Sequence, residues 1–83
     1  MIVADASAMM LVLVDDREAG HRARARLVGE AITAPELLDL EVLSVLRRMT
    51  ARGILTARRA RAALDDLAVA PIRRVPHLPL LER

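Results

Sequence analysis

The chain contains no cysteine, no lysine and no aromatic residue. Without cysteine there is no disulfide framework, no thiolate metal site and no cysteine nucleophile, which fits a reducing compartment. Without Phe, Tyr or Trp there is no stacking platform of the kind single-strand RNA modules use, and the core must be aliphatic. All 13 basic residues other than histidine are arginines, as a GC-rich genome would give. Arginine stays charged across the accessible pH range, so the isoelectric point is about 10.9 although the net charge is only +2. That modest excess does not by itself specify a nucleic acid. The longest uncharged stretch, Ala6 to Val14, is too short to span a bilayer, and no basic n-region precedes it. A soluble, cytoplasmic protein without a membrane partner is expected.

What remains is 83 residues rich in Ala, Leu and Val, enough for one small α/β domain. Met1 to Ala4 reads as a short buried strand, and Ser7 as the N-cap of a helix through Met9, Met10, Leu11 and Leu13. Asp15-Asp16 breaks that run. A second helix is expected to about Gly29, with Ala19, Ala23 and Leu27 on one face and Arg22, Arg24 and Arg26 elsewhere. Ile32 to Ala34 reads as a second strand, and Pro35 as the first turn of a third helix with Glu36 near its positive end. Leu37, Leu38, Val42, Val45, Leu46 and Met49 carry that helix to Gly53. Thr56 caps a fourth, with Ala60, Ala63, Leu64 and Leu67 inward and Arg58, Arg59 and Arg61 outward. Pro71 ends it, Ile72 to Val75 forms a third strand, and residues 79–83 start a further helical turn. This alternation implies a short parallel sheet flanked by helices.

Two acids stand out. Asp5 closes the first strand and precedes a helix, where open α/β sheets place their ligand crevice. Its ordinary alternative is a helix-start residue. Glu41 shares a helical face with Leu37, Leu38 and Val45, and a carboxylate turned toward a core needs a cation. Arg47 or Arg48 could supply one; a metal shared with Asp5 is the functional alternative. Asp39 falls on the other side of that helix and reads as solvated. Asp15-Asp16 and Asp65-Asp66 read as surface pairs, and His21 and His77 lack a ligand spacing. The arginine clusters at 47–48 and 58–61 read as solvated helix faces.

The segment Met-Ile-Val-Ala-Asp-Ala-Ser-Ala at 1–8 resembles the opening of PIN-domain ribonucleases of the VapC toxin type. Ala34-Pro35-Glu36-Leu37-Leu38-Asp39-Leu40-Glu41-Val42, running on to Leu46-Arg47-Arg48, resembles their second acidic motif. The Gly-Ile-Leu-Thr turn at 53–56, the arginine-rich helix after it and the strand at 72–75 fit the same pattern. The resemblance implies a Mg²⁺- or Mn²⁺-dependent endoribonuclease that cuts RNA and is silenced by a VapB-type antitoxin. By that resemblance Asp5 and Glu41 are the catalytic, metal-binding acids, and Ser7 is a hydroxyl that orients Asp5. Hard oxygen ligands suit Mg²⁺ chemistry on phosphodiesters. The family's third acid lies beyond the strand at 72–75, so the chain reads as a single PIN-like domain, 1–83, truncated before that motif and impaired in activity. Neither Asp65, Asp66 nor Glu82 replaces it. The rival expectation is an inactive PIN remnant that only binds antitoxin or forms a homodimer. A second resemblance, of Leu11 to Asp16 to the first strand and acidic pair of a phosphoreceiver domain, fails because too little chain separates Asp16 from Asp39 and lysine is absent.

Overall fold

The computed structural model describes residues 2–76. Their order is β1 (Ile2–Val3), α1 (Ala6–Val14), α2 (Glu18–Leu27), β2 (Ile32–Pro35), α3 (Leu38–Ala51), α4 (Ala57–Val69) and β3 (Ile72–Val75). The strands form a parallel sheet in the order β1-β2-β3, with Ile2 opposite Ile32 and Ile32 opposite Ile72. The α/β alternation and parallel sheet follow the sequence pattern, and the arrangement is PIN-like. The expected helical turn at 79–83, together with His77 and Glu82, lies outside the described residues.

The core is aliphatic throughout. Met9 and Leu13 of α1, Leu38, Val42 and Leu46 of α3, and Ala63 and Leu67 of α4 close over Ala4, Ile32, Ala34 and Ile72 of the sheet side. Among the described residues no polar or charged side chain is fully buried. Each large aliphatic side chain so removed from water contributes about 1.5–3 kcal/mol. Small residues such as Ala34 and Ala63, 1% and 0% exposed, set how closely the layers approach.

Three local details differ from the sequence reading. The N-cap of α1 is Asp5, not Ser7: Asp5 is extended (φ −102°, ψ 176°), and its carboxylate Oδ1 accepts the Ala8 N–H at 2.8 Å. The helix therefore begins at Ala6, and Ser7 lies exposed inside its first turn. Pro35 belongs to β2, opposite Val75, and α3 starts only at Leu38. At the end of β2 the missing N–H costs little, and the next residue resumes the ladder through Glu36 N–H to the Val75 carbonyl. On α2, Ala19 is exposed and the buried position is Gly20.

Helix ends that lack their own caps are closed from elsewhere. The last turn of α1 holds no basic residue. Its carbonyls are taken by guanidinium groups of other helices: Arg24 donates to Val12 (3.1 Å) and Asp15 (2.8 Å), and Arg59 to Leu13 (2.6 Å). Arg24 and Arg59 are thus half-buried structural residues rather than outward ones, because an orphan helix-end carbonyl near the protein interior needs a donor. By contrast α3 ends on its own glycine. Gly53 adopts φ +74°, so that Gly53 N–H reaches Thr50 and Ile54 N–H reaches Met49. Thr56 caps α4 as expected, accepting the Arg59 N–H at 3.1 Å.

Gly20 is buried where α2 crosses the α1–α2 turn, and a Cβ there would overlap the Asp15 carbonyl, with its carbon at 2.7 Å. The obstacle is backbone and also holds Arg24. Gly20→Ala is therefore expected to destabilise the fold by about 1–3 kcal/mol despite the better helix propensity of alanine. Urea denaturation followed by circular dichroism measures this; an unchanged midpoint would contradict the close approach.

Candidate active site

The parallel sheet brings the chain out of β1 and β2 side by side, and acids follow each strand. After β1 the acid is Asp5, followed at once by α1. After β2 the chain turns at Glu36-Leu37 and enters α3, whose first turn carries Asp39 and Glu41. The carboxyl edge of adjacent parallel strands is where α/β folds gather ligand-binding groups.

Asp5 and Glu41 are both exposed. The capping bond engages Asp5 Oδ1 and leaves Oδ2 without a partner among the described residues. Glu41 departs from the sequence reading in one respect: it flanks the buried stripe of α3 and does not face the core. Leu38, Val42 and Leu46 centre that stripe, and at about 100° per residue Glu41 falls to one side and Asp39 to the other. Neither Arg47 nor Arg48 pairs with it; among the described residues Glu41 forms no salt bridge. It needs none, because water solvates it.

Asp39 lies on the opposite flank from Glu41 as expected, but it has a partner that the sequence reading did not give it. It is half-exposed and locked to Arg74 of β3, with Nη2 to Oδ1 at 2.8 Å and Nε to Oδ2 at 3.1 Å. Arg74 also donates to the carbonyls of Leu67 and Ile72 at 3.3 and 3.2 Å. One guanidinium thereby joins the start of α3, the end of α4 and β3. The hydrogen bond to Asp39 holds the Arg74 pKa above its ordinary value against the opposing effect of burial, so the cation is permanent. No local sequence signal marks this pair: Arg74 stands opposite Ala34 on the strand that leads into α3, a register that only the folded sheet fixes.

Ser7, in the first turn of α1, is exposed, and the partner of the Asp5 carboxylate is the Ala8 amide. Of the surface acids, Asp15 accepts the Arg17 N–H at 2.7 Å, Asp16 lies 4.0 Å from Arg59 and Asp65 lies 3.6 Å from Arg61. Arg24 Nη2 lies 3.2 Å from His21 Nδ1, which can only accept from it. As oxygen donors in water, Asp5 and Glu41 fit a hard divalent cation in kind. In number they are few: among the described residues no group of three or more acids or histidines is placed to hold a metal.

Known proteins are similar to this sequence. The chain is 42% identical over 73 residues to ribonuclease VapC3 of Mycobacterium tuberculosis, an alignment covering 88% of this chain and 53% of that protein. It is 37% identical over all 83 residues to ribonuclease VapC9 of the same organism, covering 62% of it. Ribonuclease VapC12 is 31% identical over 83 residues, with 64% of its length covered. The chain thus spans between half and two thirds of the length of these curated relatives. No protein-family model matches it, and no solved structure matches it significantly. A shared sequence along nearly the whole chain, on a PIN-like sheet, makes this chain a member of the VapC family.

Proposed function

We propose that the chain is a metal-dependent endoribonuclease of a VapBC-type toxin–antitoxin system, hydrolysing RNA phosphodiesters with Mg²⁺ or Mn²⁺. The observation that carries this reading is a pair of exposed carboxylates in a VapC-related chain, Asp5 directly after β1 and Glu41 in the first turn of the helix that follows the adjacent parallel strand β2. They are the residues that would hold the ion, and Ser7, two positions after Asp5, would support it through its hydroxyl. When bound, the ion supplies Lewis acidity to the scissile phosphate and acidifies water. The chain's own part is positional. The Ala8 amide fixes one Asp5 oxygen and leaves the other directed to solvent. Glu41 is carried by a rigid first helical turn whose Glu41 amide bonds to the Leu37 carbonyl at 3.0 Å. In the hydrolysis, a water oxygen bonds to phosphorus, the ester P–O bond breaks, and the departing oxygen takes a proton. Two carboxylates hold such an ion loosely, so low activity is expected of these 83 residues.

A binding module that captures a VapB-type antitoxin or a second copy, without cleavage, is the alternative. The outer edge of β1 favours it. Val3 is 72% exposed beside an apolar groove of about 270 Å³ lined by Ile2, Met9, Leu11, Val12 and Leu27. No helix among the described residues is long and apolar enough to cross a membrane.

Cleavage of a defined RNA with and without chelator separates the two. Asp5→Asn and Glu41→Gln are each expected to lower Mg²⁺-dependent cleavage by on the order of a hundredfold. Chelator-resistant cleavage, or full activity in both variants, contradicts the nuclease; antitoxin binding with no cleavage supports the module. The cap permits a second distinction. Asp5→Ala should lose about 1 kcal/mol of stability with the N-cap, whereas Asp5→Asn, which can still accept the Ala8 N–H, should lose only a few tenths. Equal loss of cleavage with unequal loss of stability, read by urea denaturation, assigns the activity to the charge of Asp5 and not to its cap.

A further inference from the structure

Two carboxylates occupy the first turn of α3, yet only one is free. Asp39 spends both oxygens on Arg74, at 2.8 and 3.1 Å, while Glu41 has no salt bridge among the described residues. The two lie two positions apart, about 200° around the helix, on opposite flanks of the stripe formed by Leu38, Val42 and Leu46. The Asp39 flank faces β3, because that is where Arg74 lies. The Glu41 flank is therefore turned away from β3, and β1, the strand that leads to Asp5, lies on the far side of β2 from β3.

We infer that Arg74 is a positioning residue for the candidate cation site: it withholds Asp39 and fixes the rotation of α3 so that Glu41 is the acid paired with Asp5. Arginine suits this work because its planar fork grips a carboxylate at two points and so fixes direction as well as distance. The grip is reinforced from behind, since Arg74 also holds the Leu67 and Ile72 carbonyls and cannot swing with Asp39. A lysine at the same place would neutralise Asp39 without fixing the turn. The inference rests on the metal reading above.

The test is a double-mutant cycle read by Mn²⁺ binding, followed by electron paramagnetic resonance of the free ion on the 83-residue chain. In the otherwise native chain, Glu41→Gln is expected to weaken Mn²⁺ binding by about tenfold or more. In an Arg74→Lys background, which keeps the charge and loses the fork, Glu41→Gln is expected to weaken it by about threefold or less, because Asp39 is now available and Glu41 is no longer held. Arg74→Met tests the same coupling with the charge removed and serves as the background if Arg74→Lys fails to fold. A Glu41→Gln effect of the same size in every background overturns the positioning role. If Glu41→Gln leaves Mn²⁺ binding unchanged in the native chain, the metal reading itself falls, which is a different result. A merely structural role for Arg74 would lower stability without changing how much Glu41 matters.

Discussion

Guanidinium groups bonded to backbone carbonyls hold the helices of this protein in register, and the closure of α1 by Arg24 and Arg59 is the contact on which the others depend. Helix α1 packs against α2, α3 and α4. Its C-terminal carbonyls at Val12, Leu13 and Asp15 would be orphaned at that junction without the two side chains. Arg24 comes from α2 and Arg59 from α4, so the same bonds that satisfy α1 also set where its neighbours sit. The tight turn that brings Arg24 into reach leaves room only for glycine at position 20. At the other end α1 is capped by Asp5, and the helix that anchors the bundle is also the one that presents the first candidate acid.

An aliphatic core explains why arginine carries so much of the specification. Interlocking aromatic rings ordinarily fix how layers are rotated against one another, and this chain has none. Leucine, valine and alanine supply burial but few directional constraints. Directionality comes instead from half-buried forks, with Arg59 and Arg74 retaining side-chain exposures of 33% and 27%. They remain charged, partly hydrated and bonded to groups that need donors, so the cost of burying charge is limited. The same chemistry that orients α1 at one end of the fold orients α3 beside the acids at the other.

Much of this was legible in the sequence. The order of elements, the parallel sheet, the Thr56 cap and the glycine stop at Gly53 all follow from local pattern. Asp5 and Glu41 drew attention through their positions at a strand end and within an apolar helical run. What was not legible involves partners far apart in the chain. Arg59 meets a carbonyl 46 residues away, and Arg74 meets an acid 35 residues away. Arginine on a helical wheel looks solvated whether its tip reaches water or a distant helix end. Asp39 was misread for that reason, since its partner sits on a strand whose register only the folded sheet defines. The Ser7 cap failed differently: two residues with capping side chains lie two apart, and the extended backbone at Asp5 decides between them. Pro35 likewise suits either a helix start or a strand end, and the ladder to β3 settled it.

Under the proposed function, Asp5 and Glu41 share a cation while Asp39 stays with Arg74. Anomalous diffraction from crystals of the chain soaked in Mn²⁺ tests it most directly. The predicted result is an anomalous peak at Asp5 and Glu41, with the Asp39–Arg74 pair intact. A peak on Asp39, or no peak at Asp5 and Glu41 in crystals with that edge open to solvent, would contradict it.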